Sequence, residues 1–150
     1  VLEDIYPTIL DIAGVDNPGG AERIDGLSLM PLYNGETESG AGIAKRGFVH
    51  GEHSSCYHPD SAMQFLTDGK MKYIWNPATG AEQLFDLEHD PQELKDLALQ
   101  GTAEALITLW RQRLIDRLAP RTGDGLSNGK QLTPGASPPP IRAEVIDTLA

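Results

Sequence analysis

Between Leu66 and Leu97, two short runs rich in aromatic and aliphatic residues, Lys70 to Trp75 and Glu82 to Asp86, flank a loop that carries Asn76-Pro77 and Thr79-Gly80. Few folds are open to such a segment. Proline and glycine each impose a local backbone conformation that breaks regular structure, so the chain turns between the two runs. Bulky side chains on either side suit a pleated, half-buried surface, and the spacing predicts a β-hairpin. Asp68-Gly69 is the strongest tight-turn dipeptide in the chain. It is expected to join a strand over Ala62 to Thr67 to the strand over Lys70 to Trp75. Gly47 to His53 reads as a further strand and its exit, and Gln83 to Asp86 as the fourth. The expectation is a four-stranded antiparallel sheet.

Helical signals bracket this sheet. Upstream, residues 2–13 read as a helix closed by Gly14, a residue suited to the left-handed position after a C-cap. Ile5, Ile9 and Ile12 fall at i, i+4 and i+7, which makes one face apolar, and Pro7 is tolerable only within the first turn. Downstream, Pro91 suits a first helical position with Asp90 as its cap. Thr102 is expected to cap a longer helix, in which Leu106, Ile107, Leu109, Trp110, Leu114 and Leu118 recur at helical spacing. That stripe reads as a core face covering one side of the sheet.

The fold class that follows is α+β: a small four-stranded antiparallel sheet packed against a C-terminal helix, preceded by a helix and a long connector, with an irregular Pro-rich tail. The divisions are residues 1–46 for helix and connector, 47–118 for the folded unit and 119–150 for the tail. Residues 15–46 are rich in Gly and Asn and read as irregular. Ala119 to Gly125 breaks the helix, and Thr133 to Pro140 is turn-rich, with prolines that favour polyproline II. Two states are open to the tail: disorder, or a path across another domain. Ile141 to Leu149 carries a short amphipathic pattern.

Composition narrows the partners. Twelve Lys and Arg against 22 Asp and Glu give a formal charge of −10, which argues against a nucleic-acid backbone as ligand. No polybasic run suggests a membrane surface, and no apolar stretch approaches spanning length. The single cysteine, Cys56, excludes an internal disulfide and leaves the compartment open.

Three motifs in order resemble one known family. Asp4-Ile5-Tyr6-Pro7-Thr8-Ile9-Leu10-Asp11-Ile12-Ala13-Gly14 is similar to the Asp-Ile-x-Pro-Thr-Leu-Leu-x-Leu-Ala-Gly helix of the sulfatases, relatives of alkaline phosphatase. Asp25-Gly26-Leu27-Ser28-Leu29-Met30-Pro31-Leu32 is similar to their Asp-Gly-x-Ser-Leu-x-Pro-Leu segment. Lys72-Tyr73-Ile74, Leu84-Phe85-Asp86-Leu87, Asp90-Pro91-x-Glu93 and Asp96-Leu97-Ala98 resemble the family's C-terminal signature. Together they cover roughly residues 2–100.

The resemblance implies that residues 1–46 come from the end of a large hydrolase domain, on which the first helix packs, and that 47–118 is the small C-terminal subdomain. It implies sulfate-ester hydrolysis by a formylglycine made from Cys or Ser in Cys/Ser-x-Pro-x-Arg, with a calcium ion held by Asp and Asn. Both belong near the family's N-terminus. Here Pro59 follows Cys56 by three residues rather than two, and no Arg follows at the required spacing, so Cys56 reads as an ordinary thiol. No catalytic residue and no cofactor is therefore assigned to this chain. Calcium and formylglycine are expected in a missing N-terminal hydrolase domain, which is also the expected partner, alongside a sulfated small molecule or glycan as substrate. Phosphonate or phosphate ester hydrolysis on the same scaffold is the alternative chemistry. A non-catalytic module binding a glycan or a partner is the alternative class.

The chemistry-bearing cluster is His50-Gly51-Glu52-His53 with Cys56, His58 and Asp60; three of the four histidines lie within nine residues. Three readings stand: a metal site, a polar surface loop, or a loop facing the cleft of the intact hydrolase. The spacing matches no standard zinc pattern, and strand alternation puts His50 and Glu52 on one face with His53 on the other. No metal ligand is assigned. On the cleft reading, Glu52, His53 and His58 are the candidate substrate-binding residues. Lys70 and Lys72 read as solvated cations, and Tyr73 and Trp75 as sheet packing. The carboxylates from Asp86 to Asp96 lack calcium-loop spacing, and caps and helix-dipole roles account for Asp90 and Glu93.

Overall fold

The computed structural model describes residues 1–17, 24, 26–36, 46–55 and 58–135. Cys56, Tyr57, Asp25 and the pattern from Ile141 to Leu149 lie outside the described residues. The chain divides into two compact units, residues 1–49 and 50–150.

In the first unit, a 3-10 turn over Leu2–Asp4 runs into helix α1, Ile5–Ala13. Gly14 closes it at φ 64°, with its own amide bonded to Asp11 and that of Val15 to Leu10. The connector is not irregular throughout, as expected above: a single helical turn, α2 (Met30–Tyr33), forms with Pro31 in its first turn, where the missing N–H costs nothing.

Two of the sequence motifs tie together here. The buried Asp4 carboxylate accepts from the Arg46 guanidinium at 2.7 and 2.9 Å and from the Leu27 amide at 2.9 Å. Arg46 holds that carboxyl well below the usual range, against the opposing effect of burial. Thr8 Oγ1 accepts from the Leu29 amide at 3.0 Å, and Ser28 Oγ donates to Asp11 at 2.5 Å. A Cβ at Gly26 would run into the Glu3 carbonyl, so the close approach requires glycine.

The second unit is built on the expected sheet, in the order β1-β2-β3-β4: Val49–His53, Met63–Thr67, Met71–Trp75 and Glu82–Asp86. The turn after β2 forms as predicted. Gly69 sits at φ 87°, and Asp68 Oδ1 accepts from the amides of Lys70 and Met71. Register places Leu66, Tyr73 and Leu84 side by side, and all three are buried. Against this row packs helix α3, Glu104–Leu118, through Ile107, Trp110, Leu114, Ile115 and Leu118. Burying each of these large apolar side chains contributes about 1.5–3 kcal/mol.

Four expectations need correction. Leu106 and Leu109 are exposed while Ile115 is buried: the apolar stripe is wider than the contact, and the sheet covers only part of it. Ala103, not Thr102, occupies the cap position of α3, and no side chain caps it. No helix starts at Pro91. Asp90 Oδ2 instead accepts from the Lys95 amide, five residues on, and Glu93 takes a left-handed φ of 56°, both incompatible with a first helical turn. Asp96 is the cap, of a 3-10 turn over Leu97–Gln100, and accepts from the Ala98 amide. Lys72 is not simply solvated: its Nζ lies 2.9 Å from both Glu93 carboxylate oxygens and 5.6 Å from the Phe65 ring centre. Lys70, as expected, is exposed, and it pairs with Glu88.

Residues 119–135 belong to this unit. Leu126 and Leu132 are buried, a short bridge joins Ser127 to Leu132, and the Gly135 amide bonds to the Pro77 carbonyl. The helix is also pinned to the sheet by charge. Arg111 donates to both oxygens of Glu82 at 2.6 and 2.7 Å, and the buried Tyr73 hydroxyl donates to the same carboxylate. Burial pushes Glu82 up, but Arg111 and Tyr73 outweigh it and hold the carboxyl below its ordinary value.

Candidate functional site

Strand β1 supplies the first wall of the site. Gly51 lets it lie against β2, because a Cβ there would run into the Phe65 ring. His50 and Glu52 flank Gly51 and turn to the same partner, the buried Gln64 of β2. His50 Nε2 lies 2.8 Å from Gln64 Oε1. Since an amide oxygen only accepts, this contact assigns the ring proton to Nε2. Burial pushes His50 below its ordinary pKa even though Gln64 and Glu52 favour the charged form, so the ring is neutral near pH 7.

The second wall comes from beyond α3. Arg121 follows the end of the helix by three residues, and its Nη1 donates to Glu52 Oε2 at 2.9 Å. Its Nη2 pairs with Asp124 at 2.7 Å. Burial alone would raise Glu52, but Arg121 and Gln64 prevail and hold the carboxyl below its ordinary value. Burial likewise works against the Arg121 charge, and the Glu52 and Asp124 carboxylates reverse that, raising its pKa.

These walls enclose a cleft of about 500 Å³. Glu52, His53, Ser54, Gln64, Arg121 and Asp124 supply its polar groups, and Ala62, Pro77 and Leu126 an apolar surface. Its size falls within the range of small-molecule sites, ~300–1,000 Å³. It has the composition of a binding site: a few directional donors and acceptors over an apolar bed.

Of the three residues singled out by sequence, Glu52 and His53 border this cleft together. Alternation put them on opposite faces, but β1 stops at His53, and both end up on the rim. His58 is not among the lining residues. It is exposed and caps the 3-10 turn Pro59–Ser61, its Nδ1 accepting from the Asp60 amide at 3.2 Å. Arg121 was missed. It lies 69 residues from Glu52 in sequence, and no local pattern around Pro120-Arg121 marks it. Among the described residues, no group of three or more His, Cys, Asp and Glu is placed to hold a metal ion.

No family model matches the chain. Individual proteins do. An arylsulfatase of Clostridium perfringens is 34% identical over 134 residues, which is 89% of this chain and 25% of that protein. Arylsulfatase K of Xenopus laevis is 38% identical over 105 residues, 66% of this chain and 19% of its own length. Among solved structures, a 2-O GAG sulfatase superimposes with a TM-score of 0.66 at 26% identity, over 81% of this chain and 25% of that one. The chain thus spans about a quarter of the length of the first of these relatives. With these relatives, and with two of its three motifs interlocked as described, the chain belongs to the sulfatase family, and it matches a C-terminal portion of it.

Proposed function

We propose that this chain is the C-terminal part of a hydrolase that cleaves sulfate esters, and that it selects substrate without carrying out the chemistry. The nucleophile and the calcium ion belong, on this reading, to the remainder of the polypeptide, which is the chain's partner. The observation that carries the proposal is the cleft walled by Glu52, His53 and Arg121, in a chain at 34% identity to an arylsulfatase. Carboxylate, imidazole, amide and guanidinium groups form directional hydrogen bonds with the hydroxyls of a polar leaving group. None of them is an activated nucleophile. His58 enters through the turn that it caps, which presents Asp60 and Ser61 beside His53.

The test is kinetic and uses the intact enzyme that carries this chain. Glu52→Ala and His53→Ala are expected to raise KM for the best sulfated glycan substrate about tenfold and to leave kcat nearly unchanged. Hydrolysis of 4-nitrophenyl sulfate, which is too small to span the cleft, should be almost unaffected. Equal losses on both substrates would assign these residues to catalysis or folding and overturn the proposal. A Cys/Ser-x-Pro-x-Arg motif elsewhere in the full reading frame is the second requirement; its absence would refute the sulfate-ester assignment.

A further inference from the structure

A second cleft, of about 420 Å³, adjoins the first. His53 and Ala62 border both. Its other polar groups are Asp60, Ser61, Asn76 and Gln83, and its apolar surface comes chiefly from Met63 and Ile74. The Asn76 amide donates to the Asp60 carbonyl at 2.7 Å, so the loop after β3 fixes the turn after β1. A ligand lying across one end of the four strands would therefore pass from one cleft to the other over His53 without leaving the protein surface.

The charges along this path are unequal. Among the described lining residues, Arg121 is the one Lys or Arg, set against the carboxylates of Glu52, Asp124 and Asp60. Arg121 is already paired with two of them, at 2.9 and 2.7 Å. An anionic group entering here would have to displace a carboxylate from Arg121 or sit beside Asp60. A hydroxyl meets neither obstacle, since it donates to the carboxylates and accepts from amide and guanidinium N–H. The apolar faces of Ala62, Pro77 and Leu126 in one cleft, and of Met63 and Ile74 in the other, suit the C–H faces of saturated rings.

Building on the substrate-selecting reading above, we propose that the two clefts form one extended groove for at least two uncharged, hydroxyl-rich sugar units flanking the sulfated one, and that it discriminates against further sulfates there. The groove reads chain length and the absence of charge.

Binding of the full 150-residue chain to an array of glycans tests this. The array carries backbones of one to six units in neutral, singly sulfated, multiply sulfated and amine-bearing forms. Neutral or singly sulfated chains of two or more units should bind, and multiply sulfated chains on the same backbone at least tenfold more weakly. Gln83→Ala, at an exposed position of β4, should weaken the longer ligands about threefold or more and leave single units unchanged. Tightest binding of the multiply sulfated or amine-bearing members, indifference to length, or no binding at all would each overturn the proposal. The outcome is separable from the kinetic test. A KM effect of Glu52→Ala without length dependence would keep the first cleft as a selector and refute the extended groove. Length-dependent binding without that KM effect would keep the groove and refute its service to catalysis.

Discussion

Helices α1 and α3 carry the same kind of signal and meet opposite fates. Each repeats apolar residues at helical spacing. In α3, Trp110 and Leu114 are 1% and 0% exposed against the sheet; in α1, Ile5, Ile9 and Ile12 remain 50%, 58% and 66% exposed. Periodicity thus states that a face is apolar, not that anything covers it. What holds α1 in its unit is polar: the buried Asp4 carboxylate, with Arg46 and the Leu27 amide as partners. What holds α3 is packing, reinforced by one ion pair.

The largest effect that tests this contrast is expected in α3. Trp110→Ala should destabilise the chain by about 3–5 kcal/mol in a denaturant titration, because the buried ring leaves a cavity that the sheet cannot close. A loss below about 1 kcal/mol would mean that the helix does not depend on this face.

The ion pair comes next. Glu82→Gln should cost about 2 kcal/mol, the scale of hydrogen bonds to charged groups, as Arg111 and the Tyr73 hydroxyl lose their charged partner. The pH dependence has a definite sign. Glu82 is held below its ordinary pKa in the fold, so its contribution is present above the unfolded-state value, ~4.3, and is lost as pH falls through the lower folded value. The variant should therefore show a shallower loss of stability on acidification below about pH 4 than the parent chain. An unchanged acid limb would place the acid-labile contacts elsewhere, for example at Asp4–Arg46.

The smallest effect belongs to α1. Ile9→Ser should change the stability of the chain by no more than about 0.5 kcal/mol, as expected of an exposed site. A loss of 2 kcal/mol or more would show that this face is covered in solution and would erase the contrast between the two helices.

Much of this architecture is legible in the residues. Asp68-Gly69 and Asn76-Pro77 mark turns because few other residue pairs adopt those backbones, and the strands between them follow to within about one residue. Half of the cleft was legible as well. Glu52 and His53 stood out as a polar, titratable pair at a strand exit. Arg121 did not, because the only thing that makes it a site residue is an ion pair across 69 positions. The helix expected at Pro91 fails to form for a similar cause. Asp90-Pro91 has the composition of a helix start, but its carboxylate finds the Lys95 amide, and a loop closes instead.

The sequence by itself determined the elements, their turns and their apolar faces, because these depend on neighbours within a few residues, where steric and hydrogen-bonding preferences act. Only the tertiary structure decided which apolar faces are covered, that residues 119–135 return to the sheet, and that Arg121 meets Glu52 to wall a cleft. Those outcomes depend on chain segments brought together by burial, and no local preference specifies the partner.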